Sequence, residues 1–307
     1  MKQSHQTRRR CSGAALISAL LMAALVTVLG TSLLFSQETW LAQLGHQNER
    51  LTTRELAHIG MHWGRAVLYD DRRRGGGDHL GEAWAQTMQP VEVDGAIING
   101  HIIDAQSRFN LSSLVKAGAR DPDALASYAR LLGILRLPVD LAQSLADWED
   151  ADDETGVPGG AENYYYLGLP QPYRAANAPL SDIDELRWVR GYTAEVVARL
   201  APFVTVLPEQ ATVNVNTASP EVIAAVTGIS LVQAQQFAAT RIASPIMTSA
   251  ALASRIPLGE ASGRVGISSN FFVIQSVARK GVTRTRIEAL VNRQAVRWPT
   301  IVWLRQR

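Results

Sequence analysis

Residues 8–35 read RRRCSGAALISALLMAALVTVLGTSLLF. Three arginines and a Cys-Ser-Gly lead into an apolar run, Ala14 to Phe35, that carries no charged side chain. As a helix this 22-residue run is ~33 Å long, enough to cross the hydrocarbon core of a bilayer. The basic block Arg8–Arg10 sets the orientation, with residues 1–13 cytoplasmic and the remainder outside. A secretory signal has a shorter apolar region with a small-residue cleavage site on its far side. Here Ser36-Gln37-Glu38-Thr39-Trp40 follows the run, and the small residues Ser12-Gly13 precede it. Past the run, Leu41, Leu44, Leu51, Leu56, Ile59, Trp63, Val67 and Leu68 recur at helical spacing. Gln37, Glu38, Gln43, Gln47, Glu49 and Arg50 supply the wet face, so one long helix is predicted to reach about Tyr69.

A short basic leader ending in glycine, then an apolar helix carrying a head outside the membrane, resembles the type IV pilin and pseudopilin family. The resemblance implies cleavage by a prepilin peptidase between Gly13 and Ala14. With Ala14 as mature residue one, the fifth position is Ser18, where most members have glutamate. A carboxylate in lipid is costly without a partner. In that family its partner is the terminal amine of the subunit already in the filament. A subunit with nothing ahead of it has no such amine, so Ser18 points to a tip subunit, the K-type minor pseudopilin.

The formal charge of +2 comes from the leader. Lys2, Arg8, Arg9 and Arg10 contribute +4, so the processed chain carries 2 − 4 = −2, without the basic field of a nucleic-acid binder. The single cysteine, Cys11, also lies in the leader, so no disulfide staples the mature chain.

Organisation follows from pattern. Residues 36–108 continue the helix, break at the Arg72–Asp78 loop and enter the first strands over 91–106, with turns expected at Asp94-Gly95 and Asn99-Gly100. His58 and His62 share a helix face, but no glutamate follows in the manner of a zinc protease, and a plain surface pair is expected. Residues 109–202 read as an inserted α-helical domain, with helices over Leu125–Leu135, Val139–Trp148, Ser181–Val189 (capped by Ser181) and Thr193–Leu200. Residues 203–307 hold a second helical excursion, to about 265, then strands Phe271–Arg279, Val282–Arg293 and Arg297–Arg305 that return to the first sheet. The fold class is α+β: a long N-terminal membrane helix packed on an antiparallel sheet, the pilin-like head, with a large helical insert.

The segment 147–173, DWEDADDETGVPGGAENYYYLGLPQPY, packs seven acids into sixteen positions among loop-forming glycines and a proline. Read from the residues, it is either a solvated acidic loop or a site for a hard cation, and Ca²⁺ accepts the irregular geometry a loop offers. The glycine after Asp150, Asp152 and Glu154 falls at the seventh position, so this is no EF-hand. Asp147-Trp148, Asp150, Asp152, Gly159-Gly160-Ala161-Glu162 and Tyr164-Tyr165 resemble the calcium-type insert of K-type pseudopilins. Tyr173–Asn177 and Glu185-Leu186-Arg187 match the same family. That resemblance implies structural Ca²⁺, with Asp150, Asp152 and Glu162 as candidate ligands and Glu154 and Asn163 as further candidates.

Asn214-Val-Asn-Thr-Ala with Pro220 and Glu221 reads as a strand entering a helix through a Thr217 or Ser219 cap. It also resembles helix-hairpin-helix DNA-binding modules, and a membrane-tethered DNA-binding protein is the alternative reading. The turn, Gly228–Leu231, lacks a second glycine, and no Lys or Arg occurs from Asn214 to Thr240. Phosphate affinity rests on such charges, so packing is expected and nucleic acid is not. No nucleophile elbow, phosphate loop or Cys-x-x-Cys occurs, and all the loop acids lie on one segment, so no enzyme is expected. By resemblance the protein caps the type II secretion pseudopilus and helps start its assembly for export of folded proteins. The expected partners are the I-type and J-type minor pseudopilins, then the H-type, with prepilin peptidase and the inner-membrane secretion platform. The expected location is the inner membrane, single-pass, with a periplasmic head.

Overall fold

The computed structural model describes residues 12–294 and 297–307, so Arg8–Arg10 and Cys11 lie outside the described residues. Helix α1 spans Ser12–Arg74. Among the described residues it is the one helix long and apolar enough to cross a membrane. It outruns the predicted end at Tyr69, and Arg72–Arg74 are helical, not loop. Arg74 pairs with Asp70 one turn back at 2.5 Å, and three cations in the last turn suit the helix dipole. The break comes at Gly75, whose φ is +70°.

Strands β1 (Met88–Val93) and β2 (Ala96–Asp104) join through Asp94-Gly95, both at positive φ. Asn99-Gly100 is not the turn the dipeptide suggested, because β2 runs straight through it. Glycine is needed there for close approach: a Cβ on Gly100 would sit 2.5 Å from the Gln275 carbonyl oxygen of the neighbouring strand. The stretch expected to open the helical region instead forms short strands β3 (Phe109–Asn110), β4 (Val115–Lys116) and β5 (Ala119–Arg120). β4 and β5 pair with each other, and the Asn110 amide explains β3, accepting from Leu207 N at 3.0 Å and donating to Glu209 O at 3.1 Å. That pins the chain beside β6 (Val204–Thr205) in a parallel pair.

Helices α2 (Pro122–Ile134), α3 (Leu141–Glu149), α4 (Asn163–Leu167) and α5 (Ala194–Leu200) build the insert. The predicted helix at 181–189 is a 3₁₀ segment, Ile183–Trp188, capped by Asp182 rather than Ser181. Ser181 is engaged elsewhere, its hydroxyl donating to Glu185 at 2.8 Å. Then follow β7 (Val213–Asn214), α6 (Pro220–Thr227, capped by Ser219), α7 (Leu231–Ala243), α8 (Ser249–Arg255) and β8 (Val265–Gly266), which pairs parallel to β7. The chain closes with β9 (Phe271–Lys280), β10 (Thr283–Asn292) and β11 (Thr300–Gln306). The main sheet is antiparallel in the order β1-β2-β9-β10-β11, as expected for strands returning to the head.

Two cores result. In the head, Leu56, Ala57, Met61 and Leu68 of α1 meet Ile98, Phe272, Ile274, Ile287 and Val291 of the sheet. Gly60 and Gly64 set how closely they meet. A Cβ on Gly64 would lie 2.8 Å from Ile274 Cγ2, and one on Gly60 would collide with Ser276 Oγ. The second core fills the insert, where Phe109 stacks on Tyr128 and the Tyr128 and Tyr192 hydroxyls meet at 2.9 Å.

Strand β10 runs alongside α1, because Thr283 bonds Glu49 at one end and Arg293 bonds Asp71 at the other. The insert leaves after Asp104 and returns before Phe271, close to Asp78 and Arg293. It therefore grows from the end of the head remote from the apolar run.

In a helix interior, glycine to alanine ordinarily stabilises by about 0.5–1 kcal/mol. Gly45→Ala, with nothing within 4 Å of its Cβ, should raise the unfolding midpoint of the detergent-solubilised chain. Gly60→Val should lower it, because overpacking costs ~1–3 kcal/mol of stability. Equal shifts of one sign would contradict the close helix–sheet approach.

Candidate metal centre

Helix α3 is buried over its last turn, so Asp147, Trp148 and Glu149 enter the insert's interior and Asp150 follows as C-cap. The loop then folds back over α3. The Gly156 amide donates to both Asp147 oxygens at 3.2 and 3.0 Å, and Ser144 Oγ donates to Gly159 O at 2.7 Å. Gly156 and Gly160 leave no room for a side chain, because a Cβ on either would strike an Asp147 carboxylate oxygen. The floor is aromatic: Trp148 meets Tyr166 edge-on, and Tyr173 contacts Trp148, Tyr166 and Trp188.

This folding gathers Asp147, Asp150 and Glu162, each buried, with one oxygen apiece mutually within 4.8 Å. Arg120 lies against the group, its guanidinium bonded to Asp150 Oδ2 and 3.3 Å from Asp147 Oδ1. One cation beside three carboxylates leaves an excess of buried negative charge. Asp150 Oδ1 and both Glu162 oxygens are buried without a hydrogen-bond partner. Burial, reinforced by Asp147 and Asp150, pushes Glu162 up to about 7. Asp147 and Asp150 are also raised by burial, against the pull of the Gly156 amide on the first and Arg120 on the second. Orphaned hard oxygens around a buried negative excess are the donor set a divalent cation takes.

Of the five residues singled out from sequence, Asp150 and Glu162 belong to this cluster. Asp152 is about half exposed, 3.7 Å from Arg120, and accepts from the Glu154 amide. Glu154 meets Arg120 through its backbone carbonyl. Asn163 donates to Asp153 Oδ1 at 2.7 Å and accepts from Ala175 N at 3.1 Å. Asp147, not among the five, completes the cluster, and its i, i+3 spacing to Asp150 at a helix end signals a shared face. Arg120, remote in sequence, gave no signal. Close by, Glu149 keeps Oε2 unpartnered, and burial pushes it up to about 8 although the Leu180 amide opposes this.

A second acidic group, Asp71, Asp78 and Glu82, is closed by protein. Arg293 bonds Asp71 at 2.6 Å and Asp78 at 2.5 Å, and Glu82 accepts from Trp84 Nε1 at 2.7 Å. His62 faces Arg65 at 3.1 Å, and burial together with that charge lowers its pKa. At the Asn214 segment, Arg241 is turned inward, donating to the Val215 and Ala218 carbonyls. Gly13 and Ala14 lie in the first turn of α1.

A family model described as type II secretion system (T2SS), protein K matches residues 107–209, and a second so described matches 213–274. The type II secretion system protein K of Pseudomonas aeruginosa is 39% identical over 248 residues, covering 76% of this chain and 73% of that protein. Those of Aeromonas hydrophila and Klebsiella pneumoniae are 32% and 29% identical, covering 70% and 93% of this chain and 72% and 93% of theirs. Among solved structures, a chain of the GspK-GspI-GspJ complex from the enterotoxigenic Escherichia coli type 2 secretion system superposes with a TM-score of 0.67. It is 22% identical and is matched over 87% of this chain and 98% of its own.

A carboxyl whose pKa is raised in the folded chain holds its proton more tightly there than when unfolded. Metal-free stability should therefore fall as pH climbs from about 4.5, the ordinary glutamate value, through about 7 for Glu162 and about 8 for Glu149. Unfolding midpoints in chelator at pH 5 and pH 8 test this, and Glu162→Gln should flatten the decline. A midpoint that rises across the window would contradict it.

Proposed function

The chain belongs to the type II secretion system protein K family, and on that premise we propose that this minor pseudopilin caps the tip of the pseudopilus. The observation that carries this reading is where the insert leaves the head. It grows from the end remote from the apolar run, where it stands in the way of any further head stacking above. Along α1, Leu51, Ile59 and Trp63 stay exposed, available to neighbouring helices. Ser18 fits the same place. Its hydroxyl donates to Ala14 O at 2.6 Å within its own helix and carries no charge for a preceding subunit's amine. The role is that of a structural cap that helps start filament assembly, and it needs no catalysis.

The partners that fit are the I-type and J-type minor pseudopilins, as in the complex of the structural relative, followed by the H-type. Prepilin peptidase would cut between Gly13 and Ala14, and the inner-membrane platform would receive the processed chain. The apolar helix supports an inner-membrane anchor, and the basic block Arg8–Arg10 before it supports a periplasmic head. Calcium is the cation the centre suits, with Asp147, Asp150 and Glu162 as its carboxylate donors. When bound it would neutralise the buried excess charge and hold the loop in one shape.

Calcium at a hundred times its dissociation constant should stabilise the full chain in detergent by ~2.7 kcal/mol, a rise in midpoint of about 5–10 °C. Asp150→Ala with Glu162→Ala should abolish the rise. Sedimentation of the chain mixed with its I-type and J-type partners should give one ternary species. A calcium-indifferent midpoint would remove the metal from this account, and failure to form the ternary species would remove the partners.

A further inference from the structure

The sheet has one face against α1 and one turned away from it. On β10, Thr285 and Ile287 are buried toward the helix, with Thr285 Oγ1 bonded to Thr53, so Arg284 and Arg286 between and before them point outward. Arg279 of β9 pairs directly with Arg284. Arg307 exchanges both backbone hydrogen bonds with Arg286. Four arginines thus occupy one outward patch, with like charges directly opposite across both strand pairs. Such opposition destabilises a sheet. None of the four forms an ion pair among the described residues, and the acids on the same face, Glu92 and Glu288, leave them unpaired.

The rest of the face shows what this chemistry accepts. Two residues along β11 from Arg307, Arg305 is paired with Asp182 of the insert, which lies over the upper part of the sheet. The patch continues that interface downward with the same side chains and no acid laid upon them. We infer that the arginine patch Arg279, Arg284, Arg286 and Arg307 is a docking surface for an acidic, carboxylate-bearing segment of another protein. Arginine's planar fork matches carboxylates in pairs, and strand geometry repeats it every ~7 Å along β10. Height argues against lipid as the occupant. The hairpin beyond Lys280 reaches Glu49, fourteen residues past Phe35, about 21 Å above the apolar run along the helix. Headgroups extend only about 5–8 Å beyond the hydrocarbon, and charge is screened over about 8–10 Å.

The test uses the full chain in phosphatidylcholine nanodiscs, titrated with fluorescein-labelled hexaglutamate, and with hexaglutamine for comparison. Hexaglutamate should bind in a salt-dependent way and hexaglutamine should not. Arg284→Gln with Arg286→Gln should weaken binding about tenfold or more, and Arg174→Gln with Arg187→Gln on the insert should leave it unchanged. Because the first pair removes like-charge opposition, its unfolding midpoint should not fall; Arg307→Gln, which keeps the backbone hydrogen bonds to Arg286, is a second variant that should weaken binding without touching the fold. Equal binding by the arginine variants, or no binding by the wild-type chain, overturns the inference. So does loss of hexaglutamate binding in phosphatidylglycerol nanodiscs, which would assign the patch to the membrane.

Discussion

The arrangement of this molecule depends on one buried carboxylate. Asp104, at the end of β2, is shielded from solvent and accepts from Gln106 N, Asn214 Nδ2, Thr217 Oγ1 and Ser269 Oγ at 2.6–3.0 Å. Burial pushes it up to about 6, and the hydrogen bonds of Thr217, Ser269 and Gln106 restrain the rise. Leaving a buried polar group unpaired costs about 1–3 kcal/mol, so each donor is held in place by the cost of its absence. Asp104 stands on the sheet and its donors on the chain beyond it: Gln106 just after the strand, Asn214 and Thr217 within the insert, and Ser269 just before the chain returns. Ser269 also accepts from Arg293 through its carbonyl and donates its amide to Asp78, which extends the latch to the end of α1. Two hydrophobic cores that could slide past each other are thereby fixed in one orientation.

That latch gives meaning to the Asn-Val-Asn-Thr segment. Asn214 ties the insert to Asp104 and Asp78, Asn216 exchanges hydrogen bonds with Ile246 in both directions, and Thr217 completes the Asp104 shell. The polar residues that suggest a nucleic-acid module are spent inside the protein. A cap that must stop a filament needs a rigid insert, and this network provides rigidity at its base.

The long helix, the C-terminal strands that return to the first sheet and the helical insert were legible in the sequence, because helix and strand pattern and the Lys280-Gly281 turn mark them locally, whereas the strand order rests on pairing across the chain. Asn99-Gly100 misled because glycine serves close strand approach as readily as it serves turns. Strand β3 escaped because it forms through contacts with residues about a hundred positions away, such as Asn110 with Leu207, whereas β4 and β5 pair with each other through a short local turn. Half of the acidic centre was readable: Asp150 and Glu162 stood out, Asp147 was read with the acidic segment but not among the candidates, and Arg120 reaches the centre from a separate strand pair. The arginine patch was invisible, since its members alternate with buried residues and converge only through register.

The central claim is that this subunit ends the filament. Val157 and Tyr164 on the acidic loop are 84% and 95% exposed, an accessible epitope on the insert. An antibody fragment raised against this loop, imaged on pseudopili assembled with the full chain, tests the claim directly. The account predicts one fragment per filament, at one end. Decoration along the shaft would contradict it.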